Sequence, residues 1–226
     1  TSSSRESKRV KRKTGLGRGL AHSVLGLVLL AAPALAQDQR EMMQRADLSR
    51  SLGSPDAPIR VYEIADFECP FCARFSSEVF PLLDSAYVQT GKVQWVFVNL
   101  PLPSHLRAWA AAEAAFCAGA VADRFWPIHD RLFADQEEWS RAADPLAIFL
   151  AYAEAEDVPL NEFRTCLDTD PLAALVIRDA LFAANARVNG TPTFIVDQRE
   201  VVVGYKSFSE WQALLEAALS RKASGR

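Results

Sequence analysis

Metal ligands and imidazole bases are scarce in this chain: its 226 residues include three histidines and four cysteines. There is one CxxC pair, no second one and no HxxxH, so the sequence supplies no four-ligand zinc set. A phosphate-cradling loop is also missing. Gly15-Leu16-Gly17-Arg18-Gly19 is glycine-rich but follows no strand and opens no βαβ unit. Half of the residues are apolar and 23% are charged, a balance that excludes a disordered or collagen-like chain and fits one folded domain. Long apolar runs are few; the only one, Leu20 to Leu35, contains His22, Ser23 and Pro33 and is short for a membrane span.

That run follows Arg5, Lys8, Arg9, Lys11, Arg12, Lys13 and Arg18 and ends in Ala34-Leu35-Ala36. Basic start, apolar core and small-residue end read as an export signal over residues 1–36, with cleavage expected after Ala36 and an uncleaved membrane anchor as the alternative. The signal holds seven basic residues against Glu6 alone, so the remaining chain is clearly acidic and unsuited to nucleic acid. An exported chain with an even number of cysteines suits an oxidising compartment.

The chemistry concentrates at Cys69-Pro70-Phe71-Cys72. The apolar run Ile59 to Ala65 precedes it, and Phe75, Val79, Phe80, Leu82 and Leu83 come after it, so the pair falls where a strand gives way to a helix. A cysteine at a helix N-terminus meets unpaired N–H groups and the positive end of the helix dipole, which favour thiolate. The second thiol, one turn on, is placed to resolve a mixed disulfide formed by the first. Four cysteines allow three pairings. With 69 and 72 as a local exchange pair, Cys117 is left with Cys166, each on an apolar helical face; two buried free thiols are the alternative.

Residues 37–55 read as a linker or short helix, and the turn formers of Gly53-Ser54-Pro55-Asp56-Ala57-Pro58 put the start of the domain near residue 56. The expected order is strand 59–65, helix 70–89 kinked at Pro81, strand 93–98, a helical stretch over about 104–188, strands 193–196 and 201–203, and a closing helix 208–220. Leu106, Ala110, Ala114, Cys117 and Val121 share one face of the first helix in that stretch. Asp144-Pro145 and Asp170-Pro171 read as helix starts, and Asn189-Gly190 as a stop.

In this order, Asp66-Phe67-Glu68-Cys69-Pro70-Phe71-Cys72, Phe125-Trp126-Pro127-Ile128-His129-Asp130 and Gly190-Thr191-Pro192-Thr193-Phe194 make the chain resemble DsbA-like thiol–disulfide oxidoreductases, over about residues 54 to 220. The resemblance implies an α/β thioredoxin fold with an inserted all-helical domain, no cofactor and no metal. Cys69 would be the partly exposed attacking thiol, Cys72 the shielded one, and Thr191-Pro192 a cis-proline loop that pairs with extended substrate. Glu63, six residues before Cys69 and on a strand face with Val61 and Ala65, would be a buried acid under the dithiol. A solvated strand glutamate is the other reading. Asp66 and Glu68 are expected to be exposed, His105 and His129 to serve packing or surface roles, and the five tryptophans to pack in cores and interfaces.

Phe71 departs from the pattern, since oxidising relatives often carry histidine there. The implied function is exported disulfide exchange, as a dithiol oxidase of secreted proteins recycled by a membrane redox partner, in the periplasm or another extracytoplasmic space. A non-catalytic thioredoxin-like chaperone or metal-handling protein is the alternative, and reductase duty stays open.

Overall fold

The computed structural model describes residues 37–225, so the expected export signal over 1–36 lies outside the described residues. From Gln39 on, the described residues form one compact unit, to which the sheet and the helices packed on it belong. None of the described helices is long and apolar enough to cross a membrane.

The described residues open in a helix, α1 (37–49). Strand β1 (Ser51–Leu52) comes next and pairs antiparallel with β3 (Val93–Asn99). The domain therefore starts earlier than residue 56: Ala46 is in the core, and this first strand closes one edge of the sheet. Gly53 turns the chain out of it with φ +83°, and a Cβ there would stand 2.5 Å from the Val93 carbonyl oxygen, so the position needs glycine on both counts.

Strand β2 (Ile59–Ala65) is central, parallel to β3 and antiparallel to β4 (Thr193–Val196), which pairs with edge strand β5 (Glu200–Val203). The order is β1-β3-β2-β4-β5. Alternation along β2 sends Ile59, Val61 and Ala65 into the main core, while Ile64 meets Val98, Ala183 and Ile195 on the opposite face. The first face carries the active-site helix.

That helix is α2 (Pro70–Glu78), with Cys69 as N-cap and proline at its first position. The single kinked helix expected over 70–89 is broken more sharply. Pro81 has no N–H to give the preceding turn, and the chain continues as α3 (Phe80–Leu83) and one π-helical stretch (Asp84–Val88).

Between β3 and β4 lie α4 (Ala108–Ala122), α5 (Phe125–Ala134), α6 (Gln136–Arg141), α7 (Leu146–Ala155), α8 (Leu160–Thr169) and α9 (Ala173–Asn185). They form the helical insert, and α10 (Phe208–Ala223) closes the chain behind a Ser207/Glu210 capping box. Helix α4 is buried on nearly every side rather than along one stripe; Leu106 falls before it and is exposed. Its run of alanines and Gly119 admits close neighbours, and a Cβ at 119 would run into Ser49 Oγ.

Three helix boundaries differ from expectation. Asp170 ends α8 in the left-handed conformation (φ +48°) instead of starting α9, and α9 stops at Asn185, before Asn189-Gly190, with Arg187 left-handed beyond it. Asp144 accepts the Leu146 N–H at 3.0 Å, but α7 starts one residue later than expected, with Pro145 as its N-cap.

Candidate active site

Both thiols of the CxxC pair are free; Cys69, 4% exposed, is more enclosed than expected, and Cys72, with no exposure, is shielded as expected. As N-cap of α2, Cys69 has extended backbone (φ −75°, ψ 120°), and its carbonyl accepts the Cys72 and Ala73 N–H groups at 3.1 Å each. Its thiol stands 3.4 Å from the Thr191 carbonyl oxygen. A hydrogen bond from the Cys72 thiol lowers the Cys69 pKa to about 6; burial opposes this, and the Thr191 side chain and the Cys72 and Phe71 N–H groups assist. Cys72 goes the other way, raised well above an ordinary thiol by burial, by its bond to Cys69 and by the Cys69 charge.

Glu63 is 1% exposed, which removes the solvated reading. It sits mid-strand on β2, opposite Phe97 on β3 and Phe194 on β4. One carboxyl oxygen accepts the Trp95 indole N–H at 2.7 Å; the other, Oε1, is buried without a hydrogen-bond partner. Burial lifts its pKa to about 8, against the pull of Trp95, and its charge is felt at Cys72. Glu63 therefore keeps its proton at neutral pH.

The Thr191-Pro192 peptide bond is cis. The loop is held by the Pro192 carbonyl, which accepts the Gly204 N–H at 2.8 Å, and by Thr193 Oγ1, which donates to the Gly190 carbonyl at 2.7 Å. Cys69, Cys72, Glu63, Thr191 and Pro192 thus converge at one end of the sheet. Cys117 and Cys166 lie elsewhere, joined by a disulfide between α4 and α8 (S–S 2.01 Å, Cα–Cα 5.8 Å).

The loop before Cys69 corrects the expectation for two acids. Asp66 is buried: its Oδ1 accepts the Glu68 N–H at 2.7 Å, and its Oδ2 accepts the Leu102 N–H and lies against His105 Nδ1, each at 2.7 Å. Burial raises its carboxyl, with those donors pulling it back. Glu68 Oε2 accepts the Arg107 and Ala108 N–H groups at 2.6 and 2.7 Å, capping α4 from a distance in sequence. Gln136, at the start of α6, donates from Nε2 to the carbonyls of Phe67 (2.5 Å) and Cys69 (3.1 Å).

Sequence reasoning passed over these contacts. The Asp-x-Glu turn is legible locally, whereas the reach of Glu68 and Gln136 into the insert depends on the tertiary fold. His129 packs as expected, wholly buried among Phe97, Trp126 and Phe133, and bonds Asp130 at 2.8 Å. Trp109 departs from the core role: it is partly exposed and gives its indole N–H to Glu113. Among the described residues, no group of three or more His, Cys, Asp or Glu side chains is placed to hold a metal ion.

A sequence model of a thioredoxin family matches residues 46–217. The probable disulfide bond formation protein D of Bacillus cereus is 29% identical over 191 residues, covering 79% of this chain and 86% of that protein. The Na(+)/H(+) antiporter NhaA 3 of Salinispora tropica is 39% identical over 175 residues, which cover 77% of this chain but only 25% of the antiporter. Among solved structures, oxidised BdbD from Bacillus subtilis superposes with a TM-score of 0.69 at 25% identity, over 76% of this chain and 92% of that one.

Proposed function

This chain belongs to the thioredoxin family, in its DsbA-like group of protein-disulfide oxidoreductases, and from that premise we propose that it donates disulfides to cysteines of exported proteins outside the cytoplasm. The observation that carries the reading is the opposite displacement of the two thiols, Cys69 toward thiolate and Cys72 toward thiol. A stabilised Cys69 thiolate favours the reduced pair, which makes the Cys69–Cys72 disulfide a good oxidant.

In the forward reaction a substrate thiolate attacks Cys69 Sγ of the oxidised pair. The Cys69–Cys72 bond breaks, and Cys72 leaves as a thiolate and takes a proton from neutral Glu63. A second substrate thiolate then attacks the substrate sulfur of the mixed disulfide and expels Cys69, a good leaving group because its pKa is low. Two electrons pass from the substrate dithiol to the enzyme, and a membrane redox partner that accepts them resets the cycle. Thr191 and Pro192 present backbone beside Cys69 to an extended substrate strand.

Export is supported by the signal-like first 36 residues and by a second disulfide, Cys117–Cys166, of the kind that persists in oxidising compartments. The test is equilibration with glutathione buffers, together with oxidation of a reduced, unfolded protein. Cycling between dithiol and disulfide with transfer to the substrate is expected. A pair that binds the unfolded protein but never exchanges with it would overturn the reading in favour of a chaperone.

A further inference from the structure

In the loop that delivers Cys69 to the helix, the Asp66 carbonyl accepts the Cys69 N–H at 3.0 Å, whereas the Phe67 carbonyl is met from outside the loop. Phe67 is buried, and its carbonyl receives its hydrogen bond from Gln136 of the insert. The same amide nitrogen reaches the Cys69 carbonyl, the group that also accepts the first two N–H groups of α2. The direction of this carbonyl fixes the Cys69–Pro70 peptide plane, and with it the angle at which the Cys72 and Phe71 N–H groups meet the sulfur. We propose that Gln136 is a positioning residue through which the helical insert sets the backbone of Cys69 and hence the reactivity of its sulfur.

The chemistry of the side chain suits the task. A primary amide has two N–H donors for two carbonyls and brings no net charge beside a thiolate. Leucine or methionine would take the side-chain donor from the Phe67 carbonyl and leave the Cys69 carbonyl to the α2 N–H groups alone, and an ionised glutamate would set a third acceptor against them. The other insert contacts act elsewhere: Asp66 ties to Leu102 and His105, and Glu68 to the start of α4, so neither touches the Cys69 carbonyl. Gln136 alone among these three contacts acts on the nucleophile's own peptide.

The inference rests on the proposed exchange reaction, and its test separates the two. The Cys69 pKa, read from thiolate absorbance against pH, and the glutathione equilibrium are measured for wild type, Gln136→Met and Gln136→Glu, with Trp139→Phe as control. Trp139 lies on the same helix, is buried, and donates to the Leu132 carbonyl rather than to the active-site loop. Both Gln136 variants are expected to raise the Cys69 pKa by about half a pH unit or more, about threefold in thiolate stability, and to shift the glutathione equilibrium toward the disulfide by a similar factor. Trp139→Phe is expected to lower the unfolding temperature without moving either quantity. Gln136 variants that lose thermal stability yet keep the wild-type pKa would overturn the proposal and make the residue a structural strut. An equal pKa shift in Trp139→Phe would overturn it too. A wild type that fails to exchange with glutathione would instead refute the proposed reaction.

Discussion

Cys69 and Cys72 are three residues apart and differ in everything that matters to their reactivity, because one caps the helix and the other lies inside it. Cys72→Ser is expected to trap mixed disulfides with substrate, since it keeps the nucleophile and lacks the resolver, while Cys69→Ser traps none; non-reducing electrophoresis reads the difference. Thiolate absorbance should show a midpoint near about 6, held there chiefly by the hydrogen bond from the Cys72 thiol, well under that of an ordinary thiol. Glu63 gives a signed pH prediction. Its folded pKa of about 8 lies above the ordinary glutamate value of 4.5. The folded protein therefore holds a proton that the unfolded chain releases, and stability is lost as pH rises from about 4.5 through about 8, by on the order of 5 kcal/mol in all. Glu63→Gln should flatten this dependence in chemical denaturation across that range. It should also slow exchange, because Cys72 loses its proton donor.

The elements show where sequence stops being sufficient. The strand–CxxC–helix junction, the broken helix at Pro81 and the β4–β5 hairpin come from local pattern, because period-two alternation, a proline and a short turn each act within a few residues. The burial of Asp66 and the capping of α4 by Glu68 were not legible, since a carboxylate beside a cysteine looks solvated until an insert 35 to 40 residues onward supplies its donors. Asp170-Pro171 was ambiguous in a different way, as aspartate serves both as a helix start and as a left-handed stop. Helix α4 itself is tied to α8 by Cys117–Cys166, which closes a separation of 49 residues. Replacing both cysteines with alanine should destabilise the protein by roughly 4 kcal/mol in the chain-entropy view, measured by urea unfolding, while leaving the Cys69 pKa unchanged.

Across the whole molecule, the start of the described fold is bound to its far helix by charge. Arg50, just before β1, donates to both oxygens of Asp179 on α9 at 2.6 and 2.7 Å and to the Phe97 carbonyl at 3.2 Å, and Asp179 also accepts the Asn99 N–H at the end of β3. Burial raises the Asp179 carboxyl, and Arg50 pulls it back. Arg50→Met strands a buried carboxylate and should cost about 3 to 5 kcal/mol in denaturant unfolding, whereas Arg50→Met with Asp179→Leu should recover most of it. The Cys117–Cys166 link has a further consequence at this scale. A newly made copy carries 117 and 166 as thiols until an oxidant joins them. Under the proposed function, each copy of the enzyme is therefore a recipient of a disulfide before it is a donor of one.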